Sequence, residues 1–297
     1  MLLALVGSIA FSGKAIIVKL AYRYGVDAVT LIMYRMLFAL PLFAAMAWWA
    51  SRGQAPLTRK DWLGVLGLGF SGYYMASYLD FAGLQYISAS LERLILYLNP
   101  TLVLLLGWLL YGRRVRGQQV AAMGLSYAGI VLVFAHELQP GGSHTVWGAL
   151  LVLASAAMYA VYLVYSGELV KRLGALRLVG LATSVACLFC LLQFVLLRPL
   201  SAALVAPQVL WLSLLNALLC TAVPVLLVMM AIERVGAGIT AQTGMLGPLS
   251  TLLMGVLVLG EPFNAWIVVG TALVLSGVYM VSRPAKPATV LVASEAV

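Results

Sequence analysis

Five ionisable residues stand inside apolar runs in the first half of this chain: Lys14, Arg35, Asp80 and the adjacent pair Glu92 and Arg93. Near the centre of a bilayer each would cost at least about 3 kcal/mol unless it faced protein or water, so each needs a partner or a task. Asp80 and Glu92 can neutralise two of the three cations and tie helices together. The positive charge left over, on Lys14 and Arg35, suits a substrate carboxylate or phosphate, with Glu92 as counter-charge or proton site.

Tyrosines crowd the same runs. Tyr74 and Tyr78 are four residues apart and must share a helix face, as must Tyr159 and Tyr162 at three-residue spacing. A cavity wall and plain packing both fit that spacing. Tyr97 and Asn99 follow Glu92 on its own run, and Gln242 is an uncharged polar candidate late in the chain. The candidate substrate-binding set is thus Lys14, Arg35, Tyr74, Tyr78, Glu92, Arg93, Tyr97, Asn99, Tyr159, Tyr162 and Gln242. Cys187 and Cys190 are three apart, but no further Cys or His in those runs completes a tetrahedral site, so no metal is expected. No glycine loop with the Lys and Ser/Thr of a nucleotide-triphosphate site occurs, and no cofactor is implied.

The elements that must hold these residues are membrane helices. Composition is 64% hydrophobic and 9% charged, with a mean hydropathy of +1.06, which excludes a water-soluble domain. Apolar runs of about 18 to 25 residues recur along the whole chain, and ten spans are expected: 2–20, 28–49, 62–83, 89–111, 117–135, 146–166, 176–197, 208–232, 237–259 and 263–281. The first begins almost at Met1, so no removable signal peptide is expected. Loops after the even-numbered spans, with the tail, hold Arg52, Arg59, Lys60, Arg113, Arg114, Arg116, Lys171, Arg172, Arg177, Arg234, Arg283 and Lys286. The opposite loops hold only Arg23 and Arg198, with Lys19 at a helix end, which places both termini in the cytoplasm. The net charge of +9 is mostly this asymmetry, so the basic clusters face lipid head groups and no nucleic-acid partner is expected.

An offset of 148 residues superposes Ala89 on Ala237, Pro100 on Pro248, Gly107 on Gly255, Gly112 on Gly260 and Gly129 on Gly277, with no gap. Five spans per copy is an odd number, so the copies would face opposite ways across the bilayer. The expected organisation is a first repeat over 1–135, an extracytoplasmic connection over 136–145, an inverted repeat over 146–281 and a cytoplasmic tail over 282–297. Pro100 and Pro248 each remove a backbone hydrogen bond and are expected to kink their helices, with Gly107 and Gly255 completing the hinges. The charges are not duplicated: the offset carries Lys14, Arg35, Glu92 and Arg93 onto Tyr162, Thr183, Thr240 and Ala241.

Ten spans in two inverted halves, the stretch Leu-Gln-Tyr-Ile-Ser-Ala-Ser-Leu-Glu-Arg-Leu-Ile at 84–95, and Leu259-Gly260-Glu261-Pro262 before the last span resemble the EamA family of the drug/metabolite transporter superfamily. The first copy departs by reading Tyr111-Gly112-Arg113-Arg114 where Leu259-Gly260-Glu261 stands later. The resemblance implies an all-helical carrier of the bacterial inner membrane, exporting amino acids or similar small metabolites by alternating access around a central cavity. Its partners would be a small-molecule substrate and the lipid bilayer, with coupling to protons and coupling to substrate exchange both open. A polytopic enzyme acting on lipid or isoprenoid substrates is the alternative, but it needs clustered carboxylates or a nucleophile set that the chain lacks at helical spacing.

Overall fold

A computed structural model describes residues 2–112, 117–137, 143–235 and 247–282, and all their regular secondary structure is helical. An apolar chain in lipid must pair every backbone N–H and C=O within itself, which is why runs of this composition become helices. In chain order they are α1 (Leu2–Tyr22), α2 (Ala28–Ser51), α3 (Arg59–Leu68), α4 (Ala76–Leu84), α5 (Ala89–Leu96), α6 (Asn99–Tyr111), α7 (Gly117–Glu137), α8 (Ser143–Leu173), α9 (Ala175–Leu197), α10 (Pro207–Ala217), α11 (Val223–Val235), α12 (Gly247–Met254) and α13 (Ala265–Ser282). π-helical turns at Gly69–Met75 and Leu218–Ala222 join α3 to α4 and α10 to α11, and a third, Gly255–Leu259, continues α12.

Seven helices are long and apolar enough to cross a membrane, including Ala89–Tyr111 taken as one; Gly247–Leu259 and Ala265–Met280 are apolar but shorter among the described residues. The expected span at 62–83 lies within the helical run from Arg59 to Leu84, which is less apolar because it carries Asp61, Asp80 and three tyrosines.

Two contacts dominate the packing, α2 against α9 and α7 against α13. Each joins helices that the 148-residue offset superposes. α1 lies against α10, α11 and α12, and α8, its counterpart in the offset, lies against α4, α5 and α6. The α7–α13 crossing is close because Gly129 and Gly277 lack side chains. A Cβ on Gly129 would stand 2.6 Å from the Gly270 carbonyl oxygen, and one on Gly277 would meet Ser126 and lie 2.5 Å from the Ala122 carbonyl oxygen.

The loops alternate between the two ends of the bundle. At one end Arg23 Nη2 donates to the Leu259 carbonyl (2.8 Å), Asp27 pairs with Arg198 (3.2 Å), and Tyr86 stacks on His144. At the other, Arg172 pairs with Asp61, and Arg177 donates to Ser51 Oγ (3.1 Å) and the Ala55 carbonyl (3.0 Å). Asp27 also caps α2 by accepting from the Val29 and Thr30 amides. Partial burial opposes its ionisation, but the Thr30 hydroxyl and amide and the Arg198 guanidinium outweigh it and hold the carboxyl below the usual range.

Two outcomes follow from these contacts. Gly129→Leu or Gly277→Leu forces α7 and α13 apart at a cost of about 1–3 kcal/mol, read as a lower melting temperature of the detergent-purified protein; an unchanged melting temperature would contradict so close a crossing. The stabilisation from Asp27 is complete above its unfolded pKa of about 3.9 and is lost as pH falls through the lower folded value. Asp27→Asn should therefore melt lower than the parent at neutral pH and converge with it in acid.

Candidate functional site

The charged residues of the first half converge. α1 brings Lys14, α4 brings Asp80 and α5 brings Glu92, and the ammonium lies 2.6 Å from Asp80 Oδ2 and 3.1 Å from Glu92 Oε1. Glu92 is completely buried and Asp80 nearly so. α1 and α8 both pack against α4 and α5, the helices that carry them. Arg35 on α2 donates from Nε to Thr221 Oγ1 (3.1 Å) and rests its guanidinium 5.2 Å from the centre of the Phe81 ring. Arg93 donates from Nη2 to Ser12 Oγ (3.0 Å) and lies 5.7 Å from the Tyr97 ring centre. Three cations and two carboxylates leave one positive charge over.

These groups border a cavity of about 710 Å³. Lys14, Asp80, Arg35 and Arg93 mark its charged part. From there it runs along α1 past Phe11 to Ser8 and is lined also by Phe43, Val225 and Val228. Beyond the cluster in the other direction, Val18, Ala21, Phe81 and Leu84 are fully buried and close the bundle. The cavity therefore extends toward the end at which α1 begins and is sealed at the end of Arg23 and Asp27.

Several polar atoms in this region are buried without a hydrogen-bond partner among the described residues: Arg35 Nη1, Arg93 Nε, Asp80 Oδ1, Asn99 Oδ1, Thr183 Oγ1 and both oxygens of Glu92. Glu92 Oε1 faces the Lys14 ammonium as an ion pair only, outside hydrogen-bond alignment. Asn99 shows how such an atom is produced. Pro100 does not kink a continuous helix as expected; the helix breaks at Tyr97 and Leu98, and Pro100 falls in the first turn of α6. The amide Pro100 lacks would have served the Leu96 carbonyl, and Asn99 Nδ2 serves it instead (2.7 Å). Only the NH2 group can donate to a carbonyl, so the free atom is Oδ1, an acceptor on the cavity wall.

Of the other expected residues, Tyr97 and Tyr159 line the cavity. Tyr162 stands behind Tyr73, 3.3 Å between hydroxyls, stacks on Tyr159 and fills the space over Gly72, where no side chain would fit. Tyr74 and Tyr78 do share a face, but it meets α9 and α2: Tyr74 packs on Phe70 and Phe189, and Tyr78 on Val29, Met33 and Phe194. The cavity face of that helical run is Gly72, Tyr73, Ala76, Ser77 and Asp80 instead. Gln242 lies outside the described residues. Pro248 is buried in the first turn of α12, beside Gly247, whose carbonyl accepts from Ser12 Oγ (2.9 Å). Gly107 is buried within α6, and Gly255 opens a π turn. The sequence reading passed over Ser8, Ser12, Tyr73, Thr183 and Thr221. Ser8 and Ser12 at i, i+4 on the helix of Lys14 were the available signal; nothing in spacing singles out Thr221, which reaches Arg35 from 186 residues away.

A helical bundle with most of its long helices apolar enough for a membrane, enclosing a cavity bordered by buried charges, defines a polytopic membrane protein. The EamA-like transporter family matches this chain over residues 1–135 and 146–283, and the chain belongs to it. It is similar to the uncharacterized transporter YcbK of Bacillus subtilis, 29% identical over 279 residues covering 90% of this chain and 87% of that one. An uncharacterized transporter of Archaeoglobus fulgidus is 25% identical over 272 residues, 91% and 92% of the two chains. A protein of known crystal structure, 20% identical, superposes with a TM-score of 0.61 over 94% of each chain and shares the fold.

Removing the shared cation strands two buried carboxylates. Lys14→Met should lower the melting temperature by the equivalent of about 3–5 kcal/mol, and Lys14→Met/Glu92→Gln should recover much of the loss; a double variant no better than the single would show that Glu92 is not held by Lys14.

Proposed function

We propose that this chain is a secondary transporter that exports amino acids or similar zwitterionic metabolites from the bacterial cytoplasm. The observation that carries the reading is the buried cavity with one uncompensated positive charge, two guanidinium nitrogens without partners among the described residues and one oriented acceptor, Asn99 Oδ1. A carboxylate would take the free donors of Arg35 and Arg93, an ammonium would take Asn99 Oδ1, and the Tyr97, Tyr159 and Phe11 rings would receive the remainder.

Alternating access would arise from two inverted five-helix halves, 1–135 and 146–281, joined on the extracytoplasmic side by 136–145, with ten spans and both termini cytoplasmic. Support comes from packing: α2 on α9 and α7 on α13 each join offset counterparts. The π turns at Gly69–Met75 and Leu218–Ala222 also nearly superpose under the 148-residue offset, and Gly112 and Gly260 close their helices at φ of 60° and 71°. In this orientation the cavity faces the cytoplasm. Glu92, which shares one ammonium with Asp80 and is flanked by Arg93, would carry the coupling proton.

Counterflow in proteoliposomes loaded with a panel of amino acids tests the transporter, and exchange of none of them by pure protein would overturn the amino-acid reading. Arg35→Ala should weaken half-saturation about tenfold or more, the worth of a hydrogen bond to a charged group. In a pH-sensitive-dye assay, Glu92→Gln should keep counterflow while losing substrate-driven proton movement; proton movement equal to that of the parent would remove Glu92 from that role.

A further inference from the structure

The Leu259-Gly260-Glu261 turn plays no part in the cavity, yet its carboxylate accepts three hydrogen bonds at the sealed end. Gly260, at φ 71°, turns the chain back so that the Glu261 amide donates to the Gly255 carbonyl (3.0 Å). The side chain then reaches the N-terminus of α5, some 170 residues earlier in the chain. Oε1 accepts from the Ala89 amide (2.7 Å), and Oε2 accepts from the Ser90 hydroxyl (2.7 Å) and amide (3.3 Å). Gly255 makes the room: a Cβ there would stand 2.8 Å from Oε2. Two further ties reinforce the contact: Glu137 accepts from the Ser88 hydroxyl and amide, and Arg23 Nη2 donates to the Leu259 carbonyl (2.8 Å).

We infer that Glu261 is a positioning residue and a latch: it holds α5, which carries Glu92 and Arg93, against the turn after α12 and so keeps this end of the bundle closed. The inference rests on the transporter reading above. Ser88 already caps α5 locally by accepting from the Leu91 amide (2.9 Å), so the helix does not need a carboxylate from the far half of the chain merely to begin. A charge-assisted clasp on a helix N-terminus is strong when dry and is exchanged for water at small net cost when the end opens, which suits a contact made and broken in each cycle. The device has no duplicate in the sequence, because the offset places Arg113 where Glu261 stands. The two ends of the bundle therefore close by different chemistry.

Sidedness of thiol labelling tests this. In a chain with Cys187, Cys190 and Cys220 replaced by Ala, Ser77→Cys puts one thiol on the cavity wall. With the latch intact, an impermeant maleimide should reach it from the face at which α1 begins and not from the other. Glu261→Ala should raise labelling from the protected face about tenfold, the population shift that 1.4 kcal/mol produces. Glu261→Gln, which keeps one acceptor, should fall between, and Gly255→Val, which leaves the charge but fills its space, should reproduce the shift. General loss of stability would change labelling from both faces together. Unchanged sidedness in Glu261→Ala and Gly255→Val overturns the latch. Counterflow of amino acids in the same vesicles is a separate readout: its absence in the parent overturns the amino-acid reading while the sidedness comparison still decides the latch.

Discussion

Ionic groups that cannot reach water dictate much of this architecture. Lys14 must meet Asp80 and Glu92 because a lone charge in a medium of low dielectric is far costlier than a paired one, and that requirement draws α1, α4 and α5 to a common point. Replacing such a cluster with packed aliphatic side chains would often be neutral or stabilising, so its presence argues for use rather than for stability. The surplus cation sharpens the argument. Arg35 and Arg93 are held by hydroxyls and ring faces instead of carboxylates, interactions weak enough to be exchanged for those of an anion.

Irregular backbone gathers around the same point. The π turn at Leu218–Ala222 places Cys220 and Thr221 on the cavity, and Thr221 returns its hydroxyl to the Asn216 carbonyl (3.0 Å) while accepting from Arg35. The π turn at Gly69–Met75 does the same for Gly72 and Tyr73, and the break after α5 frees Asn99 Oδ1. In lipid each lost helical bond has to be made good locally, so interruptions survive only where side chains or a polar cavity repay them. Three departures from regular helix thus meet at one cavity, and π turns are frequent at functional sites.

What was legible in the sequence divides along that line. Composition and run length gave the class of protein, and intramembrane charge gave Lys14, Arg35, Glu92 and Arg93, because the cost of stranding a charge does not depend on knowing the neighbours. Asn99 was legible for the same kind of reason: Pro100 has to leave the Leu96 carbonyl without a donor, and the adjacent amide is within reach. Tyr74 and Tyr78 were not. Spacing fixes that two residues share a face but not which neighbour the face meets, and here it meets Phe189 and Phe194 of α9. Thr221, Thr183 and Ser12 are short hydroxyl residues common in any membrane helix, and only the tertiary approach of Arg35, the cavity and Arg93 gives them meaning.

The asymmetry between the two copies acquires a spatial form. The offset carries Lys14, Arg35 and Asp80 onto Tyr162, Thr183 and Val228. Thr183 and Val228 line the same cavity, and Tyr162 backs its wall behind Tyr73. Both sets of positions therefore border one space, but only the first carries charge, and its charge sits beside the sealed end. Lys14, Arg35 and Asp80 stand at one part of the cavity, and Ser8 and Val228 border it farther along α1. Unequal charge on equivalent positions thus polarises the cavity: the field of the buried cluster acts from one part of its wall, and Tyr162, Thr183 and Val228 add no charge to oppose it.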